Sequence, residues 1–334
     1  MTFTRRFVVL VAGAATALAF AGNALATQKL EVSQAGGAVT IKVSQAQTDQ
    51  QPAQIKIYAP TGYTLNANQA AGAKIGTTTG QVFARDLNIP LPLEGDVIVD
   101  NPMNHLTDPC APGLHTAVWI LNLSVAGQTI ALPVYVDPTT GASTALGAVQ
   151  LITCLGPADV PVGTPGRSPN GAQLLDATFT VSGVLTPPSG AAQWLAFSTP
   201  YGTGSGVPNP SGTVETRSLV GPGSISIAAK VANKRKKDVN VSGRVTQSGL
   251  SVAGRVTLLV NGKSRGTATA SSSGRYAKKL KGTGRRSTFQ SKITVGARDI
   301  TSTGCASPTI PAYPCVSATA GGFTATSKKV TVRF

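Results

Sequence analysis

Apolar and polar residues alternate along most of this chain, and this pattern constrains the fold more than any other feature. Every second residue is apolar from Trp119 to Val125, and again from Ile130 to Val136 after an Ala126-Gly127 turn. Shorter runs of the same kind occupy residues 39–43 and 53–57. No stretch beyond residue 26 sustains the 3.6-residue apolar period of a helix for three turns. A period of two is typical of half-buried strands, so the N-terminal half is predicted to be an antiparallel β-sandwich.

The last third of the chain shows the alternation more clearly. Val239 and Val241 face one way, and the apolar run from Val256 to Val260 leads into an Asn261-Gly262 pair, a strong hairpin signal. The chain ends with Val330, Val332 and Phe334 on one face. Roughly seven short strands in about 110 residues are typical of an immunoglobulin-like sandwich. The sequence therefore predicts an all-β protein, with a β-sandwich followed by an Ig-like seven-stranded β-sandwich.

Core valines and turn glycines of this region carry a family resemblance. They are Val241-Ser242-Gly243-Arg244-Val245, Gly249, Val252 to Leu258, Asn261-Gly262, Ala268-Thr269-Ala270, Gly274-Arg275-Tyr276 and Thr288-Phe289. The segment resembles secreted bacterial Ig-like repeats and is similar to carboxypeptidase-regulatory-like modules. Such modules are usually noncatalytic spacers or adhesive domains of envelope proteins, and the resemblance implies no active-site residues.

The resemblance covers about a third of the chain. An insertion that contains Cys305 and Cys315 departs from the usual pattern of these modules. The N-terminal half resembles no family that we would name. Only the fold and a noncatalytic role are therefore expected from the likeness.

The first 26 residues have the pattern of an export signal. Arg5 and Arg6 precede an apolar run from Phe7 to Phe20, and Ala24-Leu25-Ala26 is a small-residue cleavage motif. The run is shorter than the roughly 20 residues that a membrane span needs. We expect a signal peptide over 1–26, no transmembrane span in the mature chain, and a secreted or extracytoplasmic protein that can associate with the cell wall.

Four cysteines agree with export. Cys110, Cys154, Cys305 and Cys315 form an even set without the paired spacing of a zinc site, so disulfides are expected. Three pairings are possible. The sequential pairing keeps each bridge inside one candidate domain, but the sequence alone does not decide among the three.

Domain boundaries follow from composition. The expected division is a signal peptide over 1–26, a β-sandwich region over 27–222 and a basic Ig-like domain over 223–334. A Pro/Gly-rich stretch over 156–171 is either a long loop or a linker. Residues 172–222 either complete the first sandwich or form a separate unit, and we favour completion because three short strands alone would be marginally stable.

Charge divides the chain in the same place. Residues 27–220 hold seven Lys or Arg and eleven Asp or Glu, a formal net charge of −4. Residues 221–334 hold 20 Lys or Arg against Asp238 and Asp299, a net charge of +18. The formal charge of +16 for the whole sequence is therefore an average over unlike parts.

Most of these cations fall in turns or at strand ends. The candidate polyanion-binding residues are Lys234, Arg235, Lys236, Lys237, Lys263, Arg265, Lys278, Lys279, Lys281, Arg285 and Arg286. Such a field favours an anionic cell-wall polymer or membrane surface as partner. Sequence-specific nucleic-acid recognition is not expected, because the region has no Trp and no recognition helix. A solubilising surface without a partner is the alternative interpretation.

One local cluster of titratable residues stands apart. His105, Asp108, Cys110 and His115 follow Glu94, Asp96 and Asp100 in the sequence. The functional interpretation is a cation site or a hydrolytic site, and the other is a polar loop held by a disulfide, with histidines bonded to backbone carbonyls. We favour the second, and we predict no catalytic residue, metal or cofactor.

Two functions follow from the sequence. The preferred one is a noncatalytic secreted or envelope-associated protein whose basic Ig-like domain attaches electrostatically to anionic surface polymers. The alternative is a secreted carbohydrate-binding or hydrolytic protein with a site near His105–His115.

Overall fold

A computed structural model describes residues 27–125, 127–306, 309 and 312–334. The predicted signal peptide over 1–26 lies outside the described residues. Within those ranges no helix has the length and apolar character needed to cross a membrane.

Residues 27–222 form a sheet that carries most of the predicted alternation. Its strands, with a two-stranded side sheet made by β4 and β11, are β1 (Lys29–Ala35), β2 (Ala38–Ser44), β3 (Pro52–Ala59), β4 (Thr64–Leu65), β5 (Lys74–Ala84), β6 (Ile89–Asp100), β7 (Ala117–Val125), β8 (Gln128–Pro138), β9 (Val149–Cys154), β10 (Ala172–Ser182), β11 (Leu185–Thr186), β12 (Ala192–Pro200) and β13 (Val214–Val220). Short 3₁₀ helices occupy Pro102–His105, Gly141–Ala145, Pro169–Gly171 and Pro210–Gly212.

The second part of the chain is also made of short strands. They are β14 (Gly223–Ile225), β15 (Ala228–Asn233), β16 (Asp238–Gln247), β17 (Leu250–Ser251), β18 (Gly254–Val260), β19 (Lys263–Ala270), β20 (Arg275–Lys281), β21 (Arg286–Val295), β22 (Arg298–Asp299), β23 (Cys315–Ala320), β24 (Phe323–Thr326) and β25 (Val330–Arg333), with one helical turn, α1 (Thr301–Gly304), between β22 and β23.

In the first sheet the strand order is β1-β2-β10-β5-β6-β7-β8-β9-β3-β12-β13-β23-β22. All neighbours are antiparallel except β13 and β23, which are parallel. The inward residues of these strands enclose one apolar core, in which Trp119 and Trp194 are almost completely buried. Residues 172–222 therefore complete the first sandwich, and residues 156–171 form a loop that joins β9 to β10 of the same sheet.

The basic part forms the predicted Ig-like sandwich. β14 and β15 lie along one edge of β16 as a single interrupted strand, and β20 lies along the other edge. The facing sheet has the order β19-β18-β21, and β24 and β25 share the outer edge of β21 as a second interrupted strand. If each interrupted strand is counted once, the β16 sheet has three strands and the facing sheet has four. Together they make the expected seven, without counting the two-residue β17. Alternating valines such as Val239, Val241 and Val256 fill the core between the sheets.

One segment leaves the second sandwich and joins the first. The apolar alternation continues to Ala297, but β21 ends at Val295, and the chain crosses at Gly296 to build β22, α1 and β23 against β13. It returns through Gly321 and Gly322 to β24. The described residues 298–306, 309 and 312–320, which we call the crossing segment, thus belong with the first sheet in space, although their composition grouped them with the basic domain. We call the described residues of 27–222 together with the crossing segment the first unit, and 223–296 with 323–334 the basic unit.

Strand β23 also supports the opposite end of the sheet. The free edge of β1 has no strand beside it, and hydroxyl side chains bond its backbone instead. Ser317 Oγ donates to the carbonyl of Gln28 at 2.6 Å, and Thr319 Oγ1 donates to the carbonyl of Leu30 at 2.5 Å. The Val32 amide donates to Ser218 Oγ of β13 at 2.8 Å. These bonds satisfy buried backbone groups that would otherwise be costly to leave unpaired, so β1 is held against β13 and β23 near the other end of the sheet.

The disulfides follow the sequential pairing. Cys110 is bonded to Cys154, which ties the β6–β7 loop to the end of β9, and Cys305 is bonded to Cys315 within the crossing segment. The short loop of the second bridge fixes the start of β23 next to β13.

Beneath this segment lies a buried ion pair. Glu215 and Arg217 of β13 are 0% and 4% exposed, and the Arg217 guanidinium contacts the Glu215 carboxylate. Arg217 Nη1 also donates to the carbonyl of Gly304 at 2.9 Å, and Thr309 Oγ1 donates to Glu215. The pair therefore bonds the crossing segment to the first sheet.

We predict that Arg217→Met lowers the free energy of unfolding of the first unit by about 3–5 kcal/mol, because it leaves the Glu215 carboxylate buried without its cation. Urea unfolding followed by tryptophan fluorescence measures this, since both tryptophans lie in the first unit. The matched control is Lys74→Met, which breaks the exposed Lys74–Asp96 pair and should cost less than about 1 kcal/mol.

The double variant Glu215→Gln/Arg217→Met separates lost charge pairing from lost packing. It should be more stable than Arg217→Met alone, because no unpaired charge stays buried. Equal destabilisation by Arg217→Met and Lys74→Met would contradict the role given to this pair.

Candidate functional site

Cationic turns converge at one end of the basic unit. The β15–β16 turn carries Lys234–Lys237, the β18–β19 turn precedes Lys263, and the β20–β21 connection carries Arg285 and Arg286. The strands place all three turns at the same end, because β16 starts there, β18 ends there and β21 starts there. We call this surface, formed by residues 234–237, 261–265, 281–286 and 333–334, the cationic end.

Hydrogen bonds hold the turns together. The Gly282 amide donates to the carbonyl of Lys237 at 2.9 Å, and Asn261 Nδ2 donates to Thr283 Oγ1 at 2.7 Å. The Phe334 amide donates to the carbonyl of Arg285 at 2.9 Å, which brings the last strand to the same place. The cations thus sit on a fixed framework rather than on separate loops.

Of the eleven predicted polyanion-binding residues, nine lie at the cationic end. They are Lys234, Arg235, Lys236, Lys237, Lys263, Arg265, Lys281, Arg285 and Arg286, and all but the half-buried Lys237 are exposed. The other two lie along β20, where Lys278 donates to the carbonyl of Thr267 and Lys279 pairs with Asp238. Arg333 was missing from the predicted set, although its register opposite Arg286 places it at the same end. The alternation of Arg333 with Val332 in the sequence is the pattern that could have identified this residue.

Few anionic groups oppose these cations. Within the described part of the basic unit the one ion pair joins Lys279 Nζ to Asp238 Oδ2 at 2.9 Å. The hydrogen bond from Lys279, aided by the charges of Lys281 and Lys236, holds the pKa of Asp238 below its ordinary value. Asp238 is therefore ionised at neutral pH and neutralises a single cation. The cationic end keeps a large excess of positive charge.

The outer face of the β15-β16-β20 sheet extends this charge. Lys230, Asn240 and Lys279 form one row across the three strands, and Arg244 lies opposite Arg275 in the next part of the sheet. All five side chains are exposed. Like charges opposite one another destabilise a sheet slightly, so an anion that bridges them would relieve the repulsion.

The histidine cluster does come together, on the outer face of β7 and β8. His115 and His105 pack beside the ring of Tyr135, with ring centroids 4.7 and 6.0 Å away, and Tyr135 donates its hydroxyl to Asp108. Burial, followed by the Asp108 carboxylate, raises the pKa of Tyr135. The phenol therefore stays protonated and acts as a hydrogen-bond donor. Sequence reasoning missed Tyr135, whose outward position on β8 looked like surface.

Each histidine already has partners. His115 contacts Asp137 Oδ2 through Nδ1 at 2.8 Å and the carbonyl of Ala111 through Nε2 at 2.7 Å. His105 contacts Asp100 Oδ2 at 2.9 Å, and this bond is the main cause of the lowered pKa of Asp100. No group of three or more metal-ligating side chains occurs among the residues that the structure describes. These contacts hold the β6–β7 loop on the sheet, which favours the structural interpretation over a catalytic one.

We predict that Tyr135→Phe lowers the free energy of unfolding by about 0.5–1.5 kcal/mol, because the half-buried Asp108 carboxylate loses a hydrogen-bond donor. A double-mutant cycle with Asp108→Ala, read by urea unfolding, isolates this bond. Strictly additive effects of the two substitutions would contradict a structural Tyr135–Asp108 pair.

Comparison with known proteins adds little. No family model matches this sequence, and no curated protein matches it. Fibronectin(III)-like modules of Clostridium thermocellum CbhA align structurally with 92% of this chain and 90% of their own, at 10% identity and a TM-score of 0.21. The Ig-like β-sandwich assignment therefore rests on the strand order and register described above.

Proposed function

We propose that this is a noncatalytic secreted or cell-envelope protein whose basic unit attaches electrostatically to an anionic surface polymer. The observation that carries the proposal is the convergence of nine predicted cations and Arg333 at the cationic end. Charges gathered on one rigid end produce a stronger local field than the same charges spread over the surface. A polymer with regularly spaced phosphate or carboxylate groups can contact several of them at once.

The position of the cationic end supports the same role. Strand β16 runs from Asp238 at this end to Gln247 at the junction with the first unit. There the side-chain Nε2 of Gln247 donates to the carbonyls of Gly221 and Gly321. Ten residues of strand span about 33 Å. The cationic end is thus as far from the first unit as the basic unit allows.

Opposite net charges give the attachment a direction. The first unit has a formal net charge of −4 over residues 27–220. It is therefore repelled by the polyanion that attracts the basic unit. The protein would therefore bind end-on and hold its first unit away from the surface. Two disulfides are compatible with an extracytoplasmic location, where such polymers occur.

We predict that neutralising the turn, with Lys234, Arg235, Lys236 and Lys237 all changed to Gln, weakens binding of the chain to polyphosphate and polyuronate about tenfold or more at 50 mM salt. The matched control removes four exposed charges elsewhere, with Arg255, Lys292, Lys328 and Lys329 changed to Gln, and should weaken binding much less. Fluorescence anisotropy of labelled polymers at several salt concentrations gives both affinities and salt slopes.

Binding should disappear at about 1 M salt, where the screening length falls to about 3 Å. Anionic vesicles and duplex DNA are parallel arms that show whether a polymer is preferred over a lipid surface. Equal losses in the two quadruple variants would contradict a localised site, and binding that survives 1 M salt would contradict an electrostatic one.

A further inference from the structure

The first unit encloses an apolar cavity of about 250 Å³. Its walls are aliphatic side chains from eight strands, including Val82, Leu91, Leu121, Ile130 and Leu132. Protein interiors are close-packed, and an apolar cavity of about 150 Å³ in another protein stays dry and binds benzene. An unfilled apolar space of this size costs stability unless something occupies it.

The cavity occupies one end of the sandwich, because the core is filled unevenly. At the end where β7 begins, Trp119, Trp194 and Tyr63 pack together, and Trp194 Nε1 donates to the Tyr63 hydroxyl at 3.0 Å. At the other end the inward positions carry smaller aliphatic residues and Ala84. The aromatic residues thus fill one end of the core, and the cavity is the space left unfilled at the other end.

Glycines on β5 and β6 let neighbouring strands of the cavity wall approach closely. A Cβ on Gly80 would overlap the carbonyl oxygen of Asp176, and one on Gly95 would overlap that of Asn122. A larger residue at either position would push β5 away from β10, or β6 away from β7, and would change the shape of the cavity wall.

Residues 156–171 form a roof over this end. Gly156, Gly166 and Pro169 line the cavity from above. Arg167 forms two bonds with the Asp86 carboxylate, at 2.9 and 2.6 Å, and donates through Nε to the carbonyl of Val160 at 2.7 Å. The guanidinium, which is the charged group of the roof that lines the cavity, is therefore already neutralised.

A single polar group inside the cavity lacks a partner. Thr78 lies in the middle of β5, opposite Phe179 and Gly95, and is 1% exposed. Its Oγ1 atom is buried without a hydrogen bond, and Thr78 is among the residues that line the cavity. Burying a hydroxyl without a partner is unfavourable, so this atom marks where a ligand group would bond. The hydroxyl of Thr153, by contrast, is bonded to the carbonyl of Pro133.

We propose that this cavity binds an uncharged, compact apolar molecule with one hydroxyl or carbonyl group, which bonds to Thr78 Oγ1. The volume admits a one- or two-ring molecule or a short acyl chain, and it is too small for a folded peptide segment. The aliphatic walls exclude a charged ligand, because nothing inside would compensate its desolvation. This site is independent of the cationic end and of the proposed attachment.

Naphthalene and 2-naphthol are suitable probes, because they differ by one hydroxyl group. We predict that both bind the full chain and shift the methyl NMR signals of Leu121, Ile130 and Leu132. 2-Naphthol should bind about 2- to 12-fold more tightly than naphthalene, as expected for one net hydrogen bond. Failure of either probe to shift these signals at its solubility limit would overturn the site.

Variants then test the role of Thr78. Thr78→Val keeps the side-chain shape and should remove the preference for 2-naphthol while retaining naphthalene binding. The control Thr129→Val lies on the exposed outer face of β8 and should change neither affinity. Ala177→Phe places a ring in the cavity and should abolish binding of both probes. A preference that persists in Thr78→Val, or binding that persists in a folded Ala177→Phe, would contradict the proposal.

Discussion

The pairing of β23 with β13 is the interaction on which the rest of the molecule depends. It is the one parallel pair in the first sheet, and 94 residues separate the end of β13 from the start of β23. Ser317 and Thr319 of β23 bond backbone carbonyls along the edge of β1 that pairs with no strand, so the same six residues extend one end of the sheet and cover the other. The Glu215–Arg217 pair and the Cys305–Cys315 bridge hold this strand in place.

Local patterns predicted the local structure. The hairpin of β7 and β8 follows from the alternation on either side of Gly127, and the β18–β19 hairpin follows from Asn261-Gly262, where both residues adopt positive φ. The seven-stranded count of the basic unit follows from the same alternation. These features depend on residues close in sequence, so period and turn chemistry suffice to identify them.

Features that depend on distant residues were not predictable. Cys315–Ala320 reads as an ordinary strand, and nothing in its sequence specifies β13 rather than β21 as its neighbour. Glu215 and Arg217 look like an exposed polar face until the crossing segment covers them. Thr78 looks like a routine strand residue, and its missing partner becomes visible only when the opposite walls of the cavity are known.

The architecture separates the two proposed binding regions. The cavity and its roof lie at the end of the first unit where β13 begins, whereas Val220 leaves the other end to reach the basic unit. The cationic end lies beyond that, at the far end of β16. A protein attached through its cations would therefore present the roofed cavity away from the surface. The crossing segment keeps this arrangement fixed, because it ties the two units at a second point besides Val220.

Hydrogen exchange on the full chain tests the central structural claim, that β23 is an integral strand of the first unit. We predict that the amides of residues 316–320 exchange with the same opening free energy as those of β12 and β13. In Arg217→Met both sets should lose protection together, whereas β16 and β18 should keep theirs. Fast exchange of residues 316–320, or protection that follows β24 and β25 instead, would contradict it.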